Sequence, residues 1–150
     1  MYFTIDDITE NRIDDDTLID LTDKEGLGEI NTTRVNNLIA EVDDMINGAC
    51  SGRYQTPVSP VPSQLLSIAL DLVTYKIYGL RPQIEPPKTV VDNYATARKD
   101  LTRISEGNLK LIGAVAISGE TVTTASDLPA VKAPTPVFTD SKMAGWMEEY

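Results

Sequence analysis

The sequence predicts a mainly helical protein with a single core, and three observations indicate this fold class. Apolar residues recur at α-helical spacing in three segments, at 32–50, 63–79 and 87–106. Prolines and glycines, which break helices, separate these segments. The chain has 150 residues, enough for one core rather than two. We therefore expect an all-α bundle of three longer helices, preceded by short helices.

Two short helices are expected before the bundle. Thr4 can cap the first, and Asp6 and Asp7 lie in its first turn, where the helix dipole favours carboxylates. The acidic run Asp14–Asp16 is typical of the start of a second helix. A calcium-binding loop would need a central glycine, which this run lacks, so we predict no metal site here.

The three longer helices supply most of the expected core. The first has an apolar stripe, and its carboxylates lie off that stripe and are expected at the surface: Glu41, Asp43 and Asp44. The second is apolar on most faces and is predicted to be the most buried. Eight side chains should be buried: Leu38, Val42, Ile46, Leu66, Ala69, Val73, Tyr94 and Leu101.

Residues 51–62, which we call the elbow, join the first two longer helices. Prolines at 57, 60 and 62 prevent helix formation there. We predict that Arg53 bonds the free carbonyls at the end of the preceding helix, and that Tyr54 fills the space beneath the proline-rich turn at Pro57. This structural role is favoured over a substrate clamp.

The chain divides into a helical domain at 1–108, a segment at 109–126 and a C-terminal part at 127–150. Residues 109–117 could pair with 121–123 as a short β-hairpin. Three prolines between 127 and 136 favour an extended linker. The end is either a docking segment, which we favour, or a tail packed back on its own domain, because it gathers large apolar residues: Phe138, Met143, Trp146, Met147 and Tyr150.

The charge of the chain is strongly acidic and uneven. The net charge is −10, and residues 1–62 carry 13 acidic and 4 basic residues, a net charge of −9. Such a surface does not grip nucleic-acid phosphates. It could face DNA without binding it, although acidity that only keeps the protein soluble is the favoured explanation. Arg98, Lys99 and Arg103 form a basic patch, either a solvated face or a contact with an acidic neighbouring subunit.

The residue inventory argues against catalysis. The chain has no histidine and one cysteine, Cys50, so histidine-assisted nucleophilic catalysis, histidine-ligated zinc and an internal disulfide are excluded within it. Cys50 is expected to be a buried thiol. We expect no cofactor. The amino terminus lacks a signal peptide pattern, and no apolar run could span a membrane, so synthesis in the cytoplasm is expected.

Several motifs occur in an order that resembles a known family. They are MYFTIDDI, LIDLTD, NNLIAEVDDMINGACSGRYQTPV, LLSIALDLVTYKIYGLRP and VVDNYATARKDLTRISEGNLKL, which together cover residues 1–112. The sequence resembles the small neck proteins of long-tailed bacteriophages, including Mu-like phages. Cys50 departs from this pattern, because a larger apolar residue is expected before the Arg-Tyr pair.

The resemblance implies a head–tail adaptor in the virion neck. Such a protein would form a ring, twelvefold to match the portal, and would contact the portal and the next neck, stopper or tail-terminator protein. Double-stranded DNA would pass through the ring without specific binding. An acidic channel surface would then come from Asp6, Asp7, Asp14, Asp15, Asp16, Glu41, Asp43 and Asp44.

Two other function classes remain open at this point. The chain could be a soluble acidic helical module that binds or regulates a phage partner. An enzyme that uses the aspartate clusters ranks last, because the carboxylates lie in adjacent runs rather than at metal-ligand spacing. The expectation is therefore a protein that is not an enzyme.

Overall fold

The computed structural model describes residues 1–119 and 121–123, and this part of the chain folds into a helical bundle. Its five helices are α1 (Ile5–Asn11), α2 (Asp15–Thr22), α3 (Thr32–Cys50), α4 (Ser63–Tyr78) and α5 (Lys88–Glu106). The predicted fold class is confirmed. The three longer helices begin and end within one residue of the predicted bounds, because prolines and glycines fix where they can start and stop.

Side-chain caps define the starts of the first three helices. Thr4 and Asp7 form a capping box at α1, in which the Asp7 carboxylate accepts the Thr4 backbone N–H at 2.7 Å. Asp14 caps α2 by accepting the Thr17 backbone N–H at 3.1 Å. Asn31 caps α3. By contrast, α4 and α5 begin directly after prolines and have no side-chain cap.

Helix α4 lies at the centre of the core, packed against α3 and α5. Its buried residues cover most of its faces, as predicted: Leu65, Ile68, Ala69, Leu70, Leu72, Val73, Thr74 and Ile77. No buried side-chain nitrogen or oxygen in the described residues lacks a hydrogen-bond partner. The described bundle therefore combines a mainly aliphatic interior with hydrogen-bonded buried side-chain polar atoms.

The core prediction is wrong for three side chains, Leu38, Leu66 and Tyr94, which are only partly buried. Successive helical residues point about 100° apart. Because Ile39 and Leu65 point straight into the core, their neighbours Leu38 and Leu66 point toward its edge. Tyr94 instead stacks on Tyr75, with ring centroids 4.1 Å apart. The other five predicted core residues are buried: Val42, Ile46, Ala69, Val73 and Leu101.

The chain after α5 returns to the elbow. Gly107 ends α5 with a φ of 83°. The next residues pair through isolated antiparallel bridges, Tyr54 with Ala116 and Val115 with Thr121, rather than regular strands. Leu111 and Ala114 are fully buried in the main core. The residues expected to form a hairpin thus pair with each other and also with the elbow.

Candidate interaction surfaces

Asp43, one of the carboxylates predicted to form an acidic surface, does not lie at the surface. Its predicted exposure is therefore wrong. It is only 9% exposed because the amino terminus covers it. Its Oδ1 accepts the Tyr2 backbone N–H at 3.2 Å, and its Oδ2 lies 3.2 Å from the Met1 amine. A buried carboxylate is stable only when it is paired in this way. Asp43 therefore attaches residues 1 and 2 to α3.

Tyr2 is the residue that holds the elbow in place. Its phenol oxygen accepts the Val58 backbone N–H at 2.9 Å and donates a hydrogen bond to Asn47 Oδ1. Burial raises the pKa of Tyr2 above its ordinary value. The one signal in the sequence is an aromatic pair, Tyr2 and Phe3, placed directly before a capping threonine. The sequence does not indicate that this pair reaches a turn more than fifty residues away.

Arg53 bonds a helix end, but not the one predicted. Its Nε and Nη2 donate to the carbonyl oxygens of Ser105 and Glu106, at 3.0 and 2.6 Å, and so cap α5 instead of α3. The approach is close, because a Cβ built on Gly107 would lie 2.4 Å from Arg53 Cζ. The Arg53 side chain can contact α5 because the C-terminal turn of that helix lies beside the elbow.

Tyr54 lies beneath the residues after α5 rather than beneath the proline-rich turn, which corrects the second elbow prediction. Its phenol oxygen accepts the Leu111 backbone N–H at 2.9 Å, and the side chain is buried. Pro57 is exposed. Tyr54 and Arg53 therefore join the elbow to the chain after α5, and Tyr2 takes the position beneath the turn.

The remaining acidic candidates have three different roles. Asp7 and Asp14 cap helices, and the hydrogen bonds from Thr17 lower the pKa of Asp14. Glu41 pairs with Lys76 at 2.8 Å. The other four are exposed and have no ion-pair partner among the described residues: Asp6, Asp15, Asp16 and Asp44. Of the eight candidate carboxylates, these four are the ones that neither cap a helix nor pair with a cation among the described residues.

The predicted basic patch on α5 is exposed, but its three residues have different surroundings. Arg103 lies 3.4 Å from Asp100 on its own helix, which offsets part of its charge. Arg98 lines an open groove of about 340 Å³ between α3 and α5, whose walls include Gly48, Ala49 and Leu101. Lys99 is exposed. The groove is a candidate contact surface because its small residues leave room for an incoming side chain.

A second group of cations, which the sequence did not indicate, lines an open cleft of about 320 Å³. This cationic cleft contains Lys24, Arg34 and Arg81. Arg34 donates to the Thr22 carbonyl oxygen at 3.2 Å, and Arg81 donates to the Asp23 carbonyl oxygen, so both also bond the end of α2. Lys24 and Arg34 are ten residues apart, but Arg81 follows 47 residues after Arg34, and the packing of the α4 end against the α2–α3 loop brings it to them.

The carboxylate of Asp23 lies beside the cationic cleft but is already occupied. It accepts backbone N–H groups of Glu25, Gly26 and Gly28 at 3.0, 2.8 and 2.7 Å. These bonds, led by that of Gly28, lower the pKa of Asp23. Gly26 and Gly28 both have a φ above 70°, which lets their N–H groups converge. Asp23 therefore closes the loop instead of neutralising the cations.

The described residues include no group of three or more acidic, cysteine or histidine side chains that could hold a metal ion. Cys50 is fully buried, and burial raises the pKa of its thiol to about 11. Among the same residues, no helix is long and apolar enough to cross a membrane. The docking-segment residues, Phe138, Met143, Trp146, Met147 and Tyr150, lie outside the described residues.

Comparison with known proteins adds one family assignment. Residues 2–130 match the family described as "Bacteriophage Mu, Gp36". No curated protein matches the sequence significantly. The match includes α1 to α5, the elbow and the paired residues after α5. The chain therefore belongs to the bacteriophage Mu Gp36 family.

Proposed function

We propose that this phage protein is a structural component of the virion, a head–tail adaptor that forms a ring between the portal and the next neck or tail component. The family match over residues 2–130 is the observation that carries the proposal. The resemblance of the sequence to phage neck proteins supports the adaptor role. The protein would act in the virion neck after synthesis in the host cytoplasm, with no enzymatic activity.

The arrangement of polar groups supports a structural role. Tyr2, Asp43, Arg53 and Tyr54 are all used to join elements of one rigid domain. A catalytic site would instead need a nucleophile, a general base or a metal held in a pocket. A domain built in this way suits repeated assembly, because each copy presents the same fixed surfaces.

An acidic channel remains part of the proposal, with a smaller set of residues. Of the predicted channel residues, Asp6, Asp15, Asp16 and Asp44 are exposed without an ion pair among the described residues and could face DNA. Like charges would let the duplex slide without adhesion. Asp43 is withdrawn from this set because the amino terminus covers it. A ring whose lumen proves basic would contradict this placement.

The C-terminal segment, residues 137–150, is proposed to dock on an adjacent subunit or on the portal. Its aromatic and methionine side chains are typical interface anchors. Deletion of these residues should leave the helical domain folded and weaken attachment to the ring or the portal. A truncated protein that assembles and binds portal like the intact chain would contradict the docking role.

The decisive experiment uses a phage that lacks this protein. We expect intact, DNA-filled or leaking capsids without attached tails, and restoration of tails when the protein is supplied from a plasmid. Electron microscopy of purified protein mixed with portal should reveal a coaxial ring, which we expect to be twelvefold. Normal tailed particles in the absence of the protein would overturn the adaptor role.

The open groove between α3 and α5 supports a second candidate, a soluble module that binds a phage partner through Arg98 and its neighbours. The same phage experiment separates the two functions. A binding or regulatory module would be absent from purified virions, whereas an adaptor would be present in a fixed number of copies per particle.

A further inference from the structure

We infer that the cationic cleft binds the acidic start of α2 from a second copy of the chain, which makes a head-to-tail contact between subunits. This inference rests on the proposed function, because it names the surfaces through which the ring would close. It concerns Lys24, Arg34 and Arg81 on one copy and Asp15 and Asp16 on the next.

The cleft has the chemistry of a carboxylate-binding site. Each guanidinium has five N–H donors, and Arg34 and Arg81 each use one on a carbonyl oxygen of the α2 end. Their planar donor groups match the geometry of a carboxylate, and Lys24 adds a third positive charge. None of the three has an ion-pair partner among the described residues. In a chain of net charge −10, three cations without a carboxylate are an unusual concentration of positive charge.

Among the described residues, no carboxylate of the same chain forms an ion pair with Lys24, Arg34 or Arg81. Asp23, the nearest in sequence, is held by three backbone N–H groups. Asp15 and Asp16 lie in the first turn of α2, while Arg34 and Arg81 bond its last carbonyls. A helix of eight residues is about 12 Å long, which keeps its two ends apart.

Other copies of the chain can supply a partner to the carboxylates at the start of α2 and to the cations at its end. Asp15 and Asp16 are exposed, and neither has a partner among the described residues. Each subunit would therefore offer a carboxylate pair to one neighbour and a cationic cleft to the other. Such contacts between two different surfaces are heterologous, and they generate rings when the rotation closes.

DNA is a poorer occupant than a second copy. The cleft is lined by residues between 24 and 83, and residues 1–62 alone carry a net charge of −9, so a long polyanion is repelled along the surface that surrounds the cleft. Two carboxylates on a short helix place only two negative charges at the cleft itself. The wider acidic surface then contributes repulsion between subunits that the cleft contact offsets.

The test is a charge-reversal pair measured by sedimentation velocity at low ionic strength, where surface ion pairs are strongest. Lys24→Glu changes an exposed side chain that forms no hydrogen bond or ion pair with the residues the structure describes. Asp15→Lys with Asp16→Lys changes the other surface. Lys88→Glu, at an exposed lysine that does not line the cleft, is the matched control for charge. Circular dichroism verifies that each variant keeps its helices.

We expect wild-type self-association that weakens as salt is added, and a loss of about tenfold in either charge-reversal variant. The Lys88→Glu variant should associate like the wild type. A mixture of Lys24→Glu with the double lysine variant should associate again, because each altered surface then meets one of opposite charge. This restoration cannot come from a general loss of folding.

Three results would overturn the inference: a wild type that stays monomeric at low salt, a Lys24→Glu variant that associates normally, or a mixture that is not restored. The inference would also be overturned if the wild type bound duplex DNA and Lys24→Glu abolished that binding. The cleft would then be a binding site for phosphate groups. Portal binding and tail attachment are measured separately. If those persist while the cleft variants have no effect, the adaptor function stands and the head-to-tail contact is wrong.

Discussion

Replacement of Tyr2 by phenylalanine tests whether the amino terminus holds the elbow. The phenol oxygen accepts the backbone N–H of Val58, a residue that is only 2% exposed. Phenylalanine keeps the ring but cannot accept this bond, so the N–H is left buried without a partner, at a cost of about 1–3 kcal/mol. The lost hydrogen bond to Asn47 adds about 0.5–1.5 kcal/mol.

We therefore expect Tyr2→Phe to lower the free energy of unfolding by about 2–4 kcal/mol. The midpoint of thermal unfolding should fall by roughly 5–15 °C for a chain of this size. Urea unfolding followed by circular dichroism measures the change. Tyr78→Phe is the matched control, because the Tyr78 hydroxyl forms no hydrogen bond within the described part of the chain and the side chain is only partly buried.

The pH dependence gives an independent check of the same contact. Because burial raises the pKa of Tyr2, the contact contributes fully below pH 10 and is lost as the pH rises through the pKa of the folded state. Tyr2→Phe should therefore lose less stability than the wild type over that alkaline range. A Tyr2→Phe variant within about 0.5 kcal/mol of the wild type would refute the reasoning.

Three further predictions concern packing around the same core. Gly107→Ala should cost about 2–4 kcal/mol in denaturant unfolding, because its Cβ would lie 2.4 Å from Arg53 Cζ at a φ of 83°; a neutral result would contradict the close approach. Val73→Ala should lower the free energy of unfolding by about 2 kcal/mol or more. Leu66→Ala should lower it by less than the same substitution at a fully buried leucine, since Leu66 is partly exposed. Equal losses of stability at Leu66 and at a fully buried leucine would contradict the burial pattern. Cys50, with its thiol pKa raised to about 11, should resist a thiol reagent at pH 8 in the native protein and react in denaturant; fast native labelling would show that the site is open.

The sequence was a good guide to the helices because their limits are set locally. Proline and glycine positions fix the ends of α3, α4 and α5, and the acidic starts of α1 and α2 are capping patterns that involve residues only three apart. Apolar spacing also located most of the core. Apolar spacing was a poor guide at the edge of the core, where the adjacent residue of the same helix points inward instead.

The contacts that define the surfaces were harder to predict because their partners are distant in sequence. Asp43 has the local pattern of an exposed carboxylate, and only the amino terminus, about forty residues earlier, makes it buried. Arg53 bonds carbonyl groups about fifty residues later. The cationic cleft joins the α2–α3 loop to the end of α4. Periodicity on one helix carries no information about such pairs.

The distant partners of the elbow also bear on the order of events during synthesis. Arg53 and Tyr54 find their partners at Ser105, Glu106 and Leu111, 52 to 57 residues further along the chain. At about 5–20 residues per second, the ribosome needs roughly 3–11 s to make that stretch. Helices α3 and α4 can meet during this interval, and Tyr2 can already bond Val58, while Arg53 and Tyr54 still lack their side-chain partners. The side-chain bonds of Arg53 and Tyr54 are then a late step that requires α5 and the residues after it to be in place.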